Sequence, residues 1–156
     1  MEKISEEEIY LKELNNENDW ADLCMAHELS EEIIEKFADK VNWYCVSICQ
    51  KLSESFIEKF ANKVDWDCIS ICQKLSEPFI KEFANKVNWD CISAHQKLSE
   101  SFIKEFADKI NWNIICEHQT LSESFIKEYK NYLHIPYILK YQNISVDLKK
   151  ELSKES

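Results

Sequence analysis

At 156 residues, 45% of them hydrophobic, the chain can bury one substantial core, and its formal net charge is −10. It contains no glycine, which excludes phosphate-cradling loops, dinucleotide fingerprints and most tight hairpin turns, since each needs backbone conformations that glycine favours. All 19 basic residues are lysine, and residues 1–35 hold twelve acids against Lys3 and Lys12, so the whole net charge sits there while 17 acids and 17 lysines balance over residues 36–156.

The first predicted element is an acidic cap helix over residues 1–19. Ser5 is placed as its N-cap, Glu8 stands in capping-box position, and Ile9, Leu11 and Leu14 provide apolar contacts before Asn15, Asn16 and Asn18 end it. Glu6, Glu7 and Glu8 make this cap a site of long-range attraction for a basic partner and disfavour direct binding to nucleic acid. The opening MEKISEEE lacks the pattern of a secretion signal, and no apolar run is long enough for a membrane. With seven cysteines, an odd number, the expectation is reduced thiols and an intracellular, cytoplasmic location.

Residues 20–142 are a tandem repeat. Trp20, Trp43, Trp66, Trp89 and Trp112 step by 23 residues, as do the Leu-Ser pairs at Leu29, Leu52, Leu75, Leu98 and Leu121. A fixed period without insertion is the mark of one supersecondary unit stacked on copies of itself. In the copy from Leu52 to Lys74, Ser53 is an N-cap, and Leu52, Phe56, Ile57, Phe60, Ala61 and Val64 recur at spacings of 3 and 4. That pattern predicts a helix of about eleven residues. Pro78 in the next copy falls in the first turn, where a missing amide hydrogen costs nothing. Asp65, with Asn42, Asn88 and Asn111 in the same column, caps a second helix of about nine residues, and its wheel places Trp66, Cys68, Ile69 and Cys72 on the core arc, with Asp67, Ser70 and Ile71 off it. Helices this short are marginal in isolation and must be stabilised by stacking.

The last copy degrades from Leu121, with His134, Ile135 and Pro136 where Asn, Trp and Asp or Asn stand in earlier copies. Residues 143–156 then read as a C-terminal cap helix opened by Ser145, with Val146 and Leu148 ahead of a polar tail. The predicted fold is therefore all-α, a single solenoid domain of stacked helical hairpins capped at both ends.

The pattern LSESFI(E/K)(K/E)FA(N/D)KV(N/D)WDCISxxQK, over about residues 20–145, resembles the short tandem helical-repeat proteins of large DNA viruses and other AT-rich genomes. The resemblance implies a helical-repeat protein of viral or mobile-element origin, in a host cell if viral, and carries no activity or partner to particular residues. Abundant Lys, Asn and Ile with no Arg suit an AT-rich coding sequence.

Chemistry-bearing patterns are few. Cys45 with Cys49, Cys68 with Cys72, and Cys91 with His95 are spaced four apart and invite a soft-metal reading. Their place on the apolar arc, and the roughly 8–10 Å between adjacent packed helices, favour core thiols and no metal. Cys91 and His95 as a nucleophile pair lack an orienting third group and an oxyanion turn, so no enzyme and no cofactor are expected. His118 and His134 read as surface or packing residues. The column Gln50, Gln73, Gln96, Gln119 and Gln142 reads as structural, satisfying last-turn carbonyls or bridging to the next unit. The tryptophans read as core, not as a base-stacking platform.

Recognition is left to positions that vary between copies. Tyr44, Asp67, Asp90 and Asn113 form one such column, and Ile48, Ile71, Ala94 and Glu117 another. Tyr44, Ile48, Asp67, Ile71, Asp90 and Asn113 are the candidate partner-binding residues, with Glu6, Glu7 and Glu8 as an acidic accessory. The expected function is a non-enzymatic protein–protein interaction module, a monomer or weak oligomer that engages no membrane. The alternative is an acidic decoy that inhibits a nucleic-acid-binding host or defence protein.

Overall fold

A computed structural model describes Leu14 and residues 17–154; the cap-helix residues Ser5, Glu6, Glu7, Glu8, Ile9 and Leu11 lie outside the described residues. The described residues contain twelve helices and no strand. They are α1 (Glu17–Ala26), α2 (Glu31–Lys36), α3 (Trp43–Cys49), α4 (Glu54–Lys59), α5 (Trp66–Cys72), α6 (Glu77–Glu82), α7 (Trp89–His95), α8 (Glu100–Glu105), α9 (Trp112–His118), α10 (Glu123–Glu128), α11 (Ile135–Tyr141) and α12 (Val146–Leu152). The architecture is all-α, a helical-repeat solenoid of stacked hairpins.

The chain divides into two compact units, Met1–Gln73 and Lys74–Ser156. In the first, α1 packs on α3 and α3 on α5; in the second, α7 packs on α9 and α9 on α11.

Both helices of a hairpin are shorter than the apolar pattern suggests, six and seven residues in place of about eleven and nine. The first stops at Phe60, whose φ and ψ of −108° and 26° leave the helical region, and the chain then continues through turns to Val64. The apolar stripe survives the break because Val64 N–H still reaches the Phe60 carbonyl at 3.1 Å. The carbonyl of Ala61, in that turn, accepts from the indole Nε1 of Trp66 at 2.9 Å, and Ala38 and Ala84 serve Trp43 and Trp89 alike at 2.9 Å. The tryptophan therefore ties the first helix to the second. Trp43, Trp66, Trp89 and Trp112 are half-buried, and only Trp20 is buried outright. α1 begins at Glu17, so Asn18 sits inside a helix and does not end one.

The caps follow the sequence. Ser30, Ser53, Ser76, Ser99, Ser122 and Ser145 each accept from the amide three residues on, as do Asn42 and Asp65. Pro78 lies in the first turn of α6. His134 occupies the N-cap of α11 and makes no side-chain cap bond.

In each unit the core is built from positions that recur every 23 residues. Ile34, Ile57, Ile80, Ile103 and Ile126 come from the first helices and Val46, Ile69, Ile92, Ile115 and Ile138 from the second, all fully buried. Each such isoleucine contributes roughly 1.5–3 kcal/mol of apolar burial, the main stabilisation of helices too short to persist alone. Packed aromatic rings add to it, with Trp43 stacked on Phe56 and tilted against Phe60, and Trp89 stacked on Phe102 and Phe106. At the C-terminal end the polar run is itself helical, and α12 buries Leu148 and Leu152 while Val146 is exposed.

Candidate functional site

The second helices turn a different arc inward from the one their wheel suggests. Ser47, Ser70 and Ser93 are fully buried, whereas Cys49 and Cys72 are exposed. Hydrogen bonding explains the rotation. Ser47 Oγ donates to the Trp43 carbonyl at 2.7 Å and accepts from the amide of Asp65 at 2.9 Å, and Ser93 joins Trp89 to Asn111 at 2.7 and 3.2 Å. A buried serine with both capacities used is inexpensive to bury, so the cap of one hairpin is anchored on its predecessor.

The glutamine column is structural and bridges backwards, to the preceding hairpin. Gln50 Nε2 donates to the carbonyls of Cys24 and His27 at 2.6 and 2.9 Å while Oε1 accepts from Leu29 at 2.7 Å. Gln73 repeats the set on Ser47, Gln50 and Leu52. These carbonyls belong to helix ends that other proteins close with glycine, of which this chain has none.

A second clamp lies on the first helices. Glu31 accepts from Ser53 N and Oγ at 2.5 and 3.1 Å, and Glu77 serves Ser99 in the same way. Ser53, Ser99, Ser122 and Ser145 are thus each bound by the glutamate that opens the preceding first helix. Lys59 with Glu35, and Lys104 with Glu128, add exposed ion pairs worth little individually.

The remaining exposed face carries the candidate binding residues. Tyr44, Ile48 and Ile71 are 56%, 40% and 43% exposed, and Asp67, Asp90 and Asn113 are also exposed. Asp90 accepts from Asn111 Nδ2 at 2.9 Å, within the second unit. In the first unit Tyr44, Ile48, Asp67 and Ile71 share α3 and α5, and they are joined by Met25 of α1, which is 61% exposed. Met25 stands 23 residues before Ile48, in the same column, but is not among the residues that vary between the regular copies. Ala26, Cys49 and Cys72 form a parallel exposed column beside it. In the second unit the corresponding positions are Ala94, Glu117 and Lys140, so this column carries large apolar side chains only in the first.

Charge is confined in the same way. Met1–Gln73 holds 17 acids and 7 lysines, and Lys74–Ser156 holds 12 of each. Helices α1 and α5 contain acids, and none of α1, α3 and α5 contains a lysine. At the α1 end, Leu14, Asp19, Asp22, Leu23, Ala26 and His27 line a cavity of about 290 Å³.

Among the described residues no group of three or more His, Cys, Asp or Glu side chains is placed to hold a metal. Within the pairs spaced four apart, Cys45 and Cys68 are buried and Cys49 and Cys72 exposed, while Cys91 is half-buried and His95 exposed. Burial pushes the Cys24 thiol up to about 11 and, together with the Asp65 carboxylate that accepts from it, the Cys68 thiol up to about 12. His95 and His118 are exposed beside a second cavity of about 300 Å³, which Gln96, Leu98 and Gln119 also line. His134 is exposed and packs its ring on Tyr137.

Comparison of the chain with protein-family models, with curated proteins and with solved structures finds no match. No helix of the described residues is long and apolar enough to cross a membrane.

Proposed function

We propose that the chain is a non-enzymatic protein-interaction module, of viral or mobile-element origin, that acts inside the cell through the outward face of α1, α3 and α5. One observation carries the reading. Met25, Tyr44, Ile48 and Ile71 leave large apolar side chains in water on three helices packed one on the next, while the exposed Tyr132, Tyr141 and Val146 belong to the second unit. Exposed apolar residues grouped in this way are a mark of a contact surface, whereas singly scattered ones need no explanation. The resemblance of the repeat to those of large DNA viruses supports the proposed origin.

The confinement of net charge to the first unit favours a second reading, an acidic inhibitor that occupies the basic channel of a nucleic-acid-binding host or defence protein. Affinity capture from cell extract separates the two. The Tyr44→Ala/Ile48→Ala variant should lose the captured protein, and reversal of Glu6, Glu7 and Glu8 to lysine should retain it. Loss on charge reversal alone would replace the first reading with the second.

A further inference from the structure

We propose that the apolar face of α1, α3 and α5 docks a basic amphipathic helix of another protein, laid across the three helices. The inference rests on the interaction reading and adds the partner's chemistry to it.

Pitch comes first. Helices packed side by side lie about 8–10 Å apart, and α1, α3 and α5 are so packed, which makes Met25, Ile48 and Ile71 a ladder with rungs at that interval. An α-helix rises 1.5 Å per residue, so its positions i, i+7 and i+14 lie on one face about 10.5 Å apart and meet successive rungs. An extended strand advances roughly 3.3 Å per residue and needs three residues per rung. That places consecutive contacts on opposite faces, because strand side chains alternate. The ladder therefore suits a helix, and contacts at i, i+7 and i+14 ask for about 15 residues.

Charge comes second. The three helices contribute Asp19, Asp22 and Asp67 and no lysine, and their unit carries the whole net charge of −10. The cavity at the α1 end has Asp19 and Asp22 in its lining beside the apolar Leu23 and Ala26. That combination receives the long stem and cationic head of a lysine or arginine. An apolar stripe flanked by basic residues is thus the complementary partner surface.

The test uses the full chain and two fluorescein-labelled 15-residue peptides of identical leucine and lysine composition. One spaces leucine at the helical period and the other alternates it. Anisotropy titrations should show the helical-period peptide binding at least about tenfold more tightly than the alternating one. The Ile48→Glu/Ile71→Glu variant, checked for an unchanged helical circular dichroism spectrum, should lose at least about tenfold, and binding should weaken from 50 to 500 mM NaCl.

Equal binding of both peptides, or indifference to the double variant, overturns the proposal. So does a dimer in sedimentation that the variant converts to monomer, or binding of phosphatidylcholine vesicles in place of the peptide. If the alternating peptide binds better and the variant still abolishes its binding, the helix inference fails while the interaction reading stands. If Ile48 and Ile71 matter to no peptide and Tyr44→Ala/Ile48→Ala leaves capture from extract unchanged, both fail.

Discussion

The side chain of Gln119 holds the carbonyl of Gln96, its own counterpart one repeat earlier, at 2.8 Å. The same carboxamide donates to the Ser93 carbonyl at 2.8 Å and accepts from the Leu98 amide at 3.1 Å, so one buried side chain satisfies three backbone groups. Gln142 does this for Cys116, Gln119 and Leu121, and the repeats are linked residue to residue.

Gln119→Leu keeps the volume and leaves those three groups without a partner inside the protein. Unsatisfied buried groups cost about 1–3 kcal/mol each before relaxation, so a loss of about 2–4 kcal/mol is expected in urea unfolding followed by tryptophan fluorescence. Lys97→Ala, on an exposed side chain one residue from Gln96, should stay within about 0.5 kcal/mol. Equal midpoints for the two variants would remove the glutamine ladder from the account of how the stack is held.

The ladder also shows what the chain disclosed before its fold was known. Period, caps and helix-pair architecture were legible because Ser, Asn or Asp and Trp recur at fixed places, and each acts locally. The direction in which α3 faces was not legible. Ser47 and Cys49 are two residues apart on a seven-residue helix, and which of them is buried depends on the bond that Ser47 makes to the cap amide of Asp65. That bond joins residues 18 apart, beyond any helical wheel. The Glu31–Ser53 clamp was hidden for the same reason, since a glutamate in a first turn already has a sufficient local explanation in the helix dipole. Tyr44, Ile48 and Ile71 were legible as variable positions. Met25 was not, because the first copy, WADLCMAH, keeps the Trp register but shares few other residues with WYCVSICQ and WDCISICQ, and gives no sign of which face its methionine takes.

The clamp at the C-terminal end makes a prediction about pH. Glu123 accepts from Ser145 N and Oγ at 2.6 and 3.2 Å, and the backbone bond first, then the hydroxyl, holds its carboxyl below the usual range. A carboxyl whose folded pKa is lowered contributes stability above its unfolded pKa and loses it as pH falls through the folded value. A carboxyl-carbon NMR titration should place Glu123 below an ordinary glutamate. Ser145→Ala should raise it only partway, because the amide donor remains. A full return to the ordinary value would show that the hydroxyl, and not the backbone, sets the shift.

The rotation of the second helices is tested through the thiols. Cys49 and Cys72 are exposed, Cys91 is half-buried, and Cys24, Cys45, Cys68 and Cys116 are buried. Reaction requires the thiolate as well as access, and both Cys24 and Cys68 are pushed upward from an ordinary 9.0, to about 11 and about 12. Alkylation of the native chain at pH 8, read site by site by mass spectrometry, should label Cys49 and Cys72 first, Cys91 more slowly and the buried four only on unfolding. Because the folded pKa values of Cys24 and Cys68 are raised, the stability tied to these neutral thiols is present below the ordinary value and is lost as pH rises from there toward 11 and 12. Protection of Cys72 equal to that of Cys68 would mean that the α5 face in water is the one its wheel suggests, with Ser70 and not Cys72 near solvent.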